Sequence, residues 1–280
     1  MKVNFLDKKV RSKFWQFFSV ISGGISFFLL FVKIPEKYEG LLPCVGIAVF
    51  GVLALIYFLI WFRGNKLRKI TVDVDGSEVI IECGDIFEQA DLKVITFNEY
   101  FDTLVDDKVI SRSSLNGVFV NKFFQGRVDK LDDYINVNSQ EEDIIHKNAV
   151  RKNGGKTIKY QLSTLIVYDD FVLTAFAKFD EQNRAVLSMP EYIEFLINFW
   201  DRINSVYAQR AVSVPIFGSG ITRIKEHKNI SDEELLRIML WTFKLSEMKF
   251  RYPAKLTIVI HEDKINQINL FSLKSIERGL

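Results

Sequence analysis

Residues 14–32, FWQFFSVISGGISFFLLFV, contain no charged side chain, and neither do residues 41–62, LLPCVGIAVFGVLALIYFLIWF. At 1.5 Å rise per residue, each run is long enough as a helix to cross a hydrocarbon layer of about 30 Å. A charge at mid-membrane costs about 3 kcal/mol on insertion scales. With 26% of the chain charged, two clean gaps of this length point to a pair of transmembrane helices. A cleaved signal peptide over the first run is the competing reading. Against it, the run is longer than a signal core, no small-x-small cleavage site follows, and a second run comes at once.

The flanks set an orientation. Lys8, Lys9, Arg11 and Lys13 precede the first run, Arg63, Lys66, Arg68 and Lys69 follow the second, and the connecting KIPEKYEG has no net charge. Positive flanks stay in the cytoplasm, so both termini are expected there, with the short loop outside and Trp15 and Trp61 at one interface. Ser19, Ser22, Gly23 and Ser26 share a helical face, as do Ala48 and Gly51. Such faces permit close helix approach, within the hairpin or between copies. They are equally what the ordinary abundance of small residues in membrane helices produces.

Charge divides the chain. Residues 1–69 hold eleven Lys/Arg and three Asp/Glu, a surplus of eight, so a whole-chain charge of +2 leaves the remainder at −6. An acidic domain without a basic stripe is a poor nucleic-acid binder, and no nucleic-acid partner is expected. Two cysteines, Cys44 and Cys83, read as reduced packing residues. The scattered His146, His227 and His261 lack metal-ligand spacing, so no metal site is expected. The histidines read as surface or strand-end residues.

The resulting division is a basic cytoplasmic N-terminus (1–13), a hairpin (14–62), a basic linker (63–69) and a soluble domain (70–280). In that domain KITVDV, EVIIEC, LKVITF, STLIVYDD, FVLTAFAKF, AVSVPIF and KLTIVIHED read as strands. One helix opens near Pro190 and aligns Tyr192, Leu196, Phe199 and Ile203. A second follows a capping box of Ser231 and Glu234 and aligns Leu235, Ile238, Thr242 and Leu245. Trp200 and Trp241, in these helical runs, are expected in the core. Alternating strands and helices predict an α/β fold with a central sheet covered on both faces.

Three loops suggest a ligand site. CGDIF places Asp85 after Gly84 at the end of a strand, SSLNGVF spans 113–119, and FGSGITR spans 217–223. Glycines let backbone N–H groups turn toward a diphosphate, and Ser219 and Thr222 add hydroxyl donors. Asn116-Gly117 is equally the signature of a two-residue hairpin turn. GGKT at 154–157 imitates the end of a Walker A loop, but Val150 stands where its first glycine belongs, and no strand precedes it. GSG likewise lacks the third glycine and the adjoining helix of a dinucleotide fingerprint.

GDIF, ITFNEYFD and VPIFGSGI, in that order, resemble the loops of a macro domain, the fold that binds ADP-ribose. With SSLNGVF, FVLTAFAKFDEQNRA and the two N-terminal spans, the chain is similar to the membrane type of Thoeris antiphage effectors. The resemblance implies a macro-like three-layer α/β/α domain with a mixed central sheet. It implies that Asp85 accepts from the adenine amino group with the Ile86 N–H nearby, and that Gly218, Ser219, Gly220 and Ile221 wrap the diphosphate. It places Ser114, Leu115, Asn116 and Gly117 at the diphosphate or distal ribose. Asn98 stands at the first Asn of the hydrolases' NAAN motif, and Phe101 where the second, catalytic Asn belongs. A phenyl ring cannot orient water, so a sensor rather than an enzyme is expected, with a membrane-tethered ADP-ribosyl hydrolase as the alternative. Asp102 and Glu99 either contact the distal ribose or are solvated loop acids. No cofactor is implied. The expected ligand is an ADP-ribose derivative, histidine-ADP-ribose, made by a partner TIR-domain enzyme. The expected response is homo-oligomerisation and disruption of the bacterial inner membrane, ending in abortive infection.

Overall fold

The carboxylate of Asp7 accepts from the backbone N–H groups of Lys9 and Val10, and α1 (Lys8–Phe31) starts there, ahead of the apolar run itself. In this computed structural model, which describes residues 2–32, 35–225, 227, 229–246 and 254–274, α2 (Leu42–Lys66) follows, with Pro43 in its first turn. Lys33 and Ile34 of the connecting loop, and 247–253 and 275–280 of the expected soluble domain, lie outside the described residues. The chain divides into two compact units. One runs through Arg68 and resumes at Ile268, and the other is Lys69–Gln267. The C-terminal boundary therefore departs from the expected 70–280.

In the first unit, α1 and α2 are both long and apolar enough to cross a membrane. Protein covers 0% and 6% of their most apolar stretches, which separates them from the buried core helices of soluble proteins. Gly23 and Gly51 face open space, so these small-residue positions do not pack within the hairpin. Cys44 is exposed rather than packed. The N-terminal segment folds back along α2. The Trp61 indole donates to the Val3 carbonyl at 3.0 Å, and Asn65 both accepts from the Val3 N–H and donates to its carbonyl. A short helix α7 (Leu270–Leu273) also belongs to this unit, with Phe271 3.3 Å from where a Cβ on Gly64 would lie, and with Asn269 bonded to Asp7 at 3.0 Å.

The second unit is built on a nine-stranded mixed sheet. Its strands are β1 (Lys69–Val74), β2 (Ser77–Cys83), β3 (Leu92–Asn98), β6 (Leu165–Tyr168), β7 (Phe171–Phe179), β8 (Ala185–Leu187), β9 (Val212–Pro215), β10 (Arg223–Ile224) and β11 (Leu256–Ile260). The spatial order is β1-β2-β11-β9-β3-β7-β8-β10, with β6 paired to the start of β7. From β2 to β7 all neighbours are parallel, so β2, β11, β9, β3 and β7 end on the same edge. A separate two-stranded sheet joins β4 (Ile144–His146) to β5 (Lys159–Tyr160).

Side chains alternate across the sheet and fill two cores. Ile95, Phe97, Leu173 and Ala175 pack under α3 (Leu115–Phe123) and α4 (Val128–Asn138), among Phe119, Leu131 and Ile135. On the other face Phe176 meets Phe195 of α5 (Met189–Val206) at 4.8 Å between ring centres, and α5 packs with α6 (Asp232–Leu245). This is the expected three-layer arrangement. Tyr192, Leu196, Phe199 and Ile203 are fully buried on α5 as predicted. On α6 the buried stripe is Leu235, Leu236, Met239, Leu240 and Phe243. The expected Leu245 is 57% exposed and Trp241 is 45% exposed, because the helix turns its 3.6-residue ridge toward Trp200 rather than toward position 245.

Candidate functional site

Where parallel strands end together, their exits form a crevice. Here the ends of β2, β11, β9, β3 and β7 surround a cleft of about 690 Å³, within the range of small-ligand sites. Each wall is shaped by local chemistry. After β2, the Oδ1 of Asp85 accepts from the Phe87 N–H at 2.9 Å and caps a single 3-10 turn, leaving the second oxygen for another donor. Ile86 is buried beneath it.

The late glycine loop begins where Gly218 takes φ +85, a left-handed value that suits glycine. Gly218, Ser219, Gly220, Ile221 and Thr222 all line the cleft. Opposite them lies the first turn of α3, whose N-cap Ser114 accepts from the Gly117 N–H at 3.2 Å. Ser114, Leu115 and Asn116 line the cleft, so a helix N-terminus with its unpaired N–H groups stands on this wall.

Expectations at three residues, Gly117, Asp102 and Glu99, are corrected here. Asn116-Gly117 is not a hairpin turn, and Gly117 is not part of the cleft lining. It packs so closely on the preceding loop that a Cβ would sit 2.1 Å from the Ser111 carbonyl oxygen. Asp102 does not reach the cleft either. It is 1% exposed and accepts from Arg151, from the Asn98 side chain at 2.9 Å and from the Lys156 N–H at 2.7 Å. Glu99, taken as an exposed acid, is also buried, paired with Lys159 at 3.2 Å and accepting from the Phe179 N–H.

Asn98 does line the cleft, at the carboxyl end of β3. Its side-chain Oδ1 already accepts from the Tyr100 and Asp102 N–H groups, at 2.9 and 3.3 Å. Phe101 is fully buried between Phe97 and Tyr160 and has left-handed backbone at φ 48.

The sequence reading missed several wall residues. Lys108 and Val109 enter from a loop organised by Asp106, whose carboxyl the N–H groups of Val109 and Lys108 hold below its ordinary value. Asn183 and Arg184 enter from the β7–β8 turn. There burial works to raise Asp180, but N–H groups of Arg184 and Gln182 carry it below its ordinary value. Lys122 lies over the Phe87 ring at 4.9 Å, and His261 and Lys264 line the wall after β11. The cleft thus combines cationic side chains, a helix N-terminus, a glycine loop and three exposed carboxylates, Asp85, Asp107 and Asp263. That donor set suits an extended anion carrying a neutral base. Of these residues, Lys122 was legible as a basic residue in the last turn of α3, but only if that helix had been recognised.

Residues 79–261 match the family described as Thoeris protein ThsA, Macro domain. Over 276 residues the chain is 38% identical to Thoeris protein ThsA of Bacillus amyloliquefaciens, covering 98% of this chain and 91% of that protein. Among solved structures it is similar to the Oceanobacillus iheyensis macrodomain with MES bound, at TM-score 0.46 and 15% identity, covering 75% of this chain and 98% of that one. It is also similar to that macrodomain with ADP, at TM-score 0.44 and 14% identity, covering 74% and 94%. Those structural scores fall below 0.5, so the assignment rests on sequence. The profile match over most of the soluble domain and the near full-length identity carry it: the chain belongs to the Thoeris ThsA family and contains that family's macro domain.

Proposed function

We propose that this protein is a membrane-anchored sensor and effector of antiphage defence whose macro domain binds an ADP-ribose derivative. The observation that carries this reading is the cleft, where the Asp85 carboxylate, the α3 N-terminus and the Gly218–Thr222 loop converge at the ends of parallel strands. In this reading Asp85 accepts from the adenine amino group, and the glycine loop and the amides near Ser114 hold the diphosphate. The distal ribose, carrying histidine, lies toward Asn98. The messenger is made by a TIR-domain partner enzyme. Both termini are cytoplasmic, and α1 and α2 span the bacterial inner membrane.

A sensor is favoured over a hydrolase because the Asn98 side-chain Oδ1 already has backbone partners and Phe101 is locked in the core. Neither is placed to orient an attacking water. Ligand binding acts by favouring an assembled state, which it must bind more tightly than the resting one. Association of hairpins then breaches the bilayer and stops growth.

Calorimetry on the full chain in detergent, with ADP-ribose and with histidine-ADP-ribose, tests the ligand step. Asp85→Ala is expected to weaken binding about tenfold or more, the scale of a lost charge-assisted hydrogen bond. Absence of binding to either compound by the wild type would overturn the reading. Release of product from an ADP-ribosylated substrate would replace the sensor with the hydrolase. Dye leakage from liposomes on adding the conjugate tests the effector step.

A further inference from the structure

Three stretches of the cleft wall come from separate segments: Asn98 at the β3 exit, Lys108 in the following loop and Asn183 in the β7–β8 turn. A single side chain outside the cleft ties them together. Nη1 of Arg151 donates to both oxygens of Asp102, at 2.9 and 2.7 Å, and Nη2 donates to Oδ1 of Asn183 at 2.8 Å. Asp102 in turn accepts from the Asn98 amide, and the Asn183 amide donates to the carbonyls of Asn153 and Lys108, at 3.0 and 3.5 Å. The guanidinium lies 4.2 Å from the Tyr100 ring centre. Arg151 and Asp102 are both buried, at 7% and 1% side-chain exposure.

The glycine pair that imitates a phosphate loop serves this contact. Gly155 has φ +105, and a Cβ there would lie 2.1 Å from Nη1 of Arg151 and 2.7 Å from Oδ1 of Asp102. The loop wraps an ion pair, not a phosphate. The planar fork offers two separate nitrogens, one to Asp102 and one to Asn183, whereas a lysine carries its three donors on one nitrogen and cannot reproduce that spacing.

Asp85 follows β2 and Asn183 follows β7, with β11, β9 and β3 between them. At about 4.8 Å per strand the two ends of the cleft are roughly 19 Å apart. We propose that Arg151 is a positioning residue that fixes the cleft end farthest from Asp85, and thereby determines whether a ligand reaching beyond its first phosphate is held. This rests on the reading of Asp85 as the adenine end.

The test uses the full chain in detergent and Arg151→Lys, which keeps the charge and removes the fork. Hydrogen exchange is expected to quicken at 98–103, 108–110 and 183–185 and to stay unchanged at 84–87 and 218–222. ADP-ribose affinity is expected to fall about tenfold, the scale of lost hydrogen bonds to a charged group, while AMP affinity changes by less than about twofold. Lys152→Ala, an exposed neighbour paired with Glu181, is the control and should change neither. Uniform quickening, equal loss for both nucleotides, or no change in either readout overturns the proposal.

If Arg151→Lys does not yield folded protein, Asn183→Asp carries the same expectation. It keeps an acceptor for Arg151 and tolerates φ 57 but sets a carboxylate against the Lys108 and Asn153 carbonyls. No local quickening in that variant overturns the proposal as well. Should the wild type bind neither nucleotide, the ligand reading falls and the exchange pattern alone decides the role of Arg151.

Discussion

The phenolic hydroxyl of Tyr192 on α5 donates to the backbone carbonyl of Phe217 over 2.9 Å, at the residue before the Gly218 loop begins. Burial pushes the phenol's ionisation far up, so it remains a neutral donor wherever the protein is folded. The ring edge also lies 3.6 Å from where a Gly218 Cβ would stand. Tyr192→Phe strands a carbonyl in the core and is expected to cost about 1–3 kcal/mol in urea unfolding. It should also weaken nucleotide binding through the loosened loop. Unchanged stability with unchanged binding would show that the loop is held by other contacts.

Gly117 of α3 and Gly220 of the late loop should respond differently to a methyl group. Gly117→Ala drives a methyl into the Ser111 carbonyl and is expected to destabilise by about 1–3 kcal/mol, as overpacking does. Gly220→Ala meets nothing within 4 Å and has no left-handed backbone to strain, so a change below about 0.5 kcal/mol is expected. Denaturant midpoints of the two variants decide the point.

Glu191 closes the capping box of α5 with Ser188 and pairs with Lys178 at 2.6 Å. Burial opposes its ionisation, but hydrogen bonds from Lys178 and Ser188 prevail and lower it from 4.5 to about 2. A depressed carboxyl contributes stability that is fully present above its unfolded value and is lost as pH falls through the folded one. Stability measured against pH should therefore lose a component between 4.5 and about 2 that Glu191→Gln lacks. Identical acid profiles for the two proteins would count against this assignment.

Asn65 holds both polar groups of Val3, and Val3 itself is 1% exposed. Asn65→Ala is expected to free the N-terminal segment, seen as faster hydrogen exchange across residues 3–6 in detergent. Exchange at the wild-type rate would mean that the Trp61 bond to the Val3 carbonyl and the Tyr57 hydroxyl's bond to the Phe5 carbonyl suffice.

The parts of the fold that could be read from sequence were those whose signal is local. FVLTAFAKF is β7 residue for residue, and the Ser231–Glu234 box starts α6 where expected. Helix α3 was hidden because Asn116-Gly117 is a strong turn signal. The Ser114 hydroxyl and the close approach of Ser111, which are tertiary and capping effects, override it. Strands β8 and β10 are three and two residues long, too short to show a period. At the site, the loops with unusual backbone announced themselves. The pairing of Asp102 with Arg151 across 49 positions did not, since nothing in either neighbourhood marks a buried partner. That pairing turned an apparent ligand contact into an internal one.

Phe101 fills the core against Tyr160, with ring centres 5.2 Å apart. Replacing it by asparagine would open a void and bury an amide with no partner, each costing about 2 kcal/mol or more. A single change to asparagine at this position is therefore expected to cost the fold before it could gain any water-activating chemistry. A lineage leaving this state would first have to rebuild the packing around Tyr160, and only afterwards could selection act on turnover.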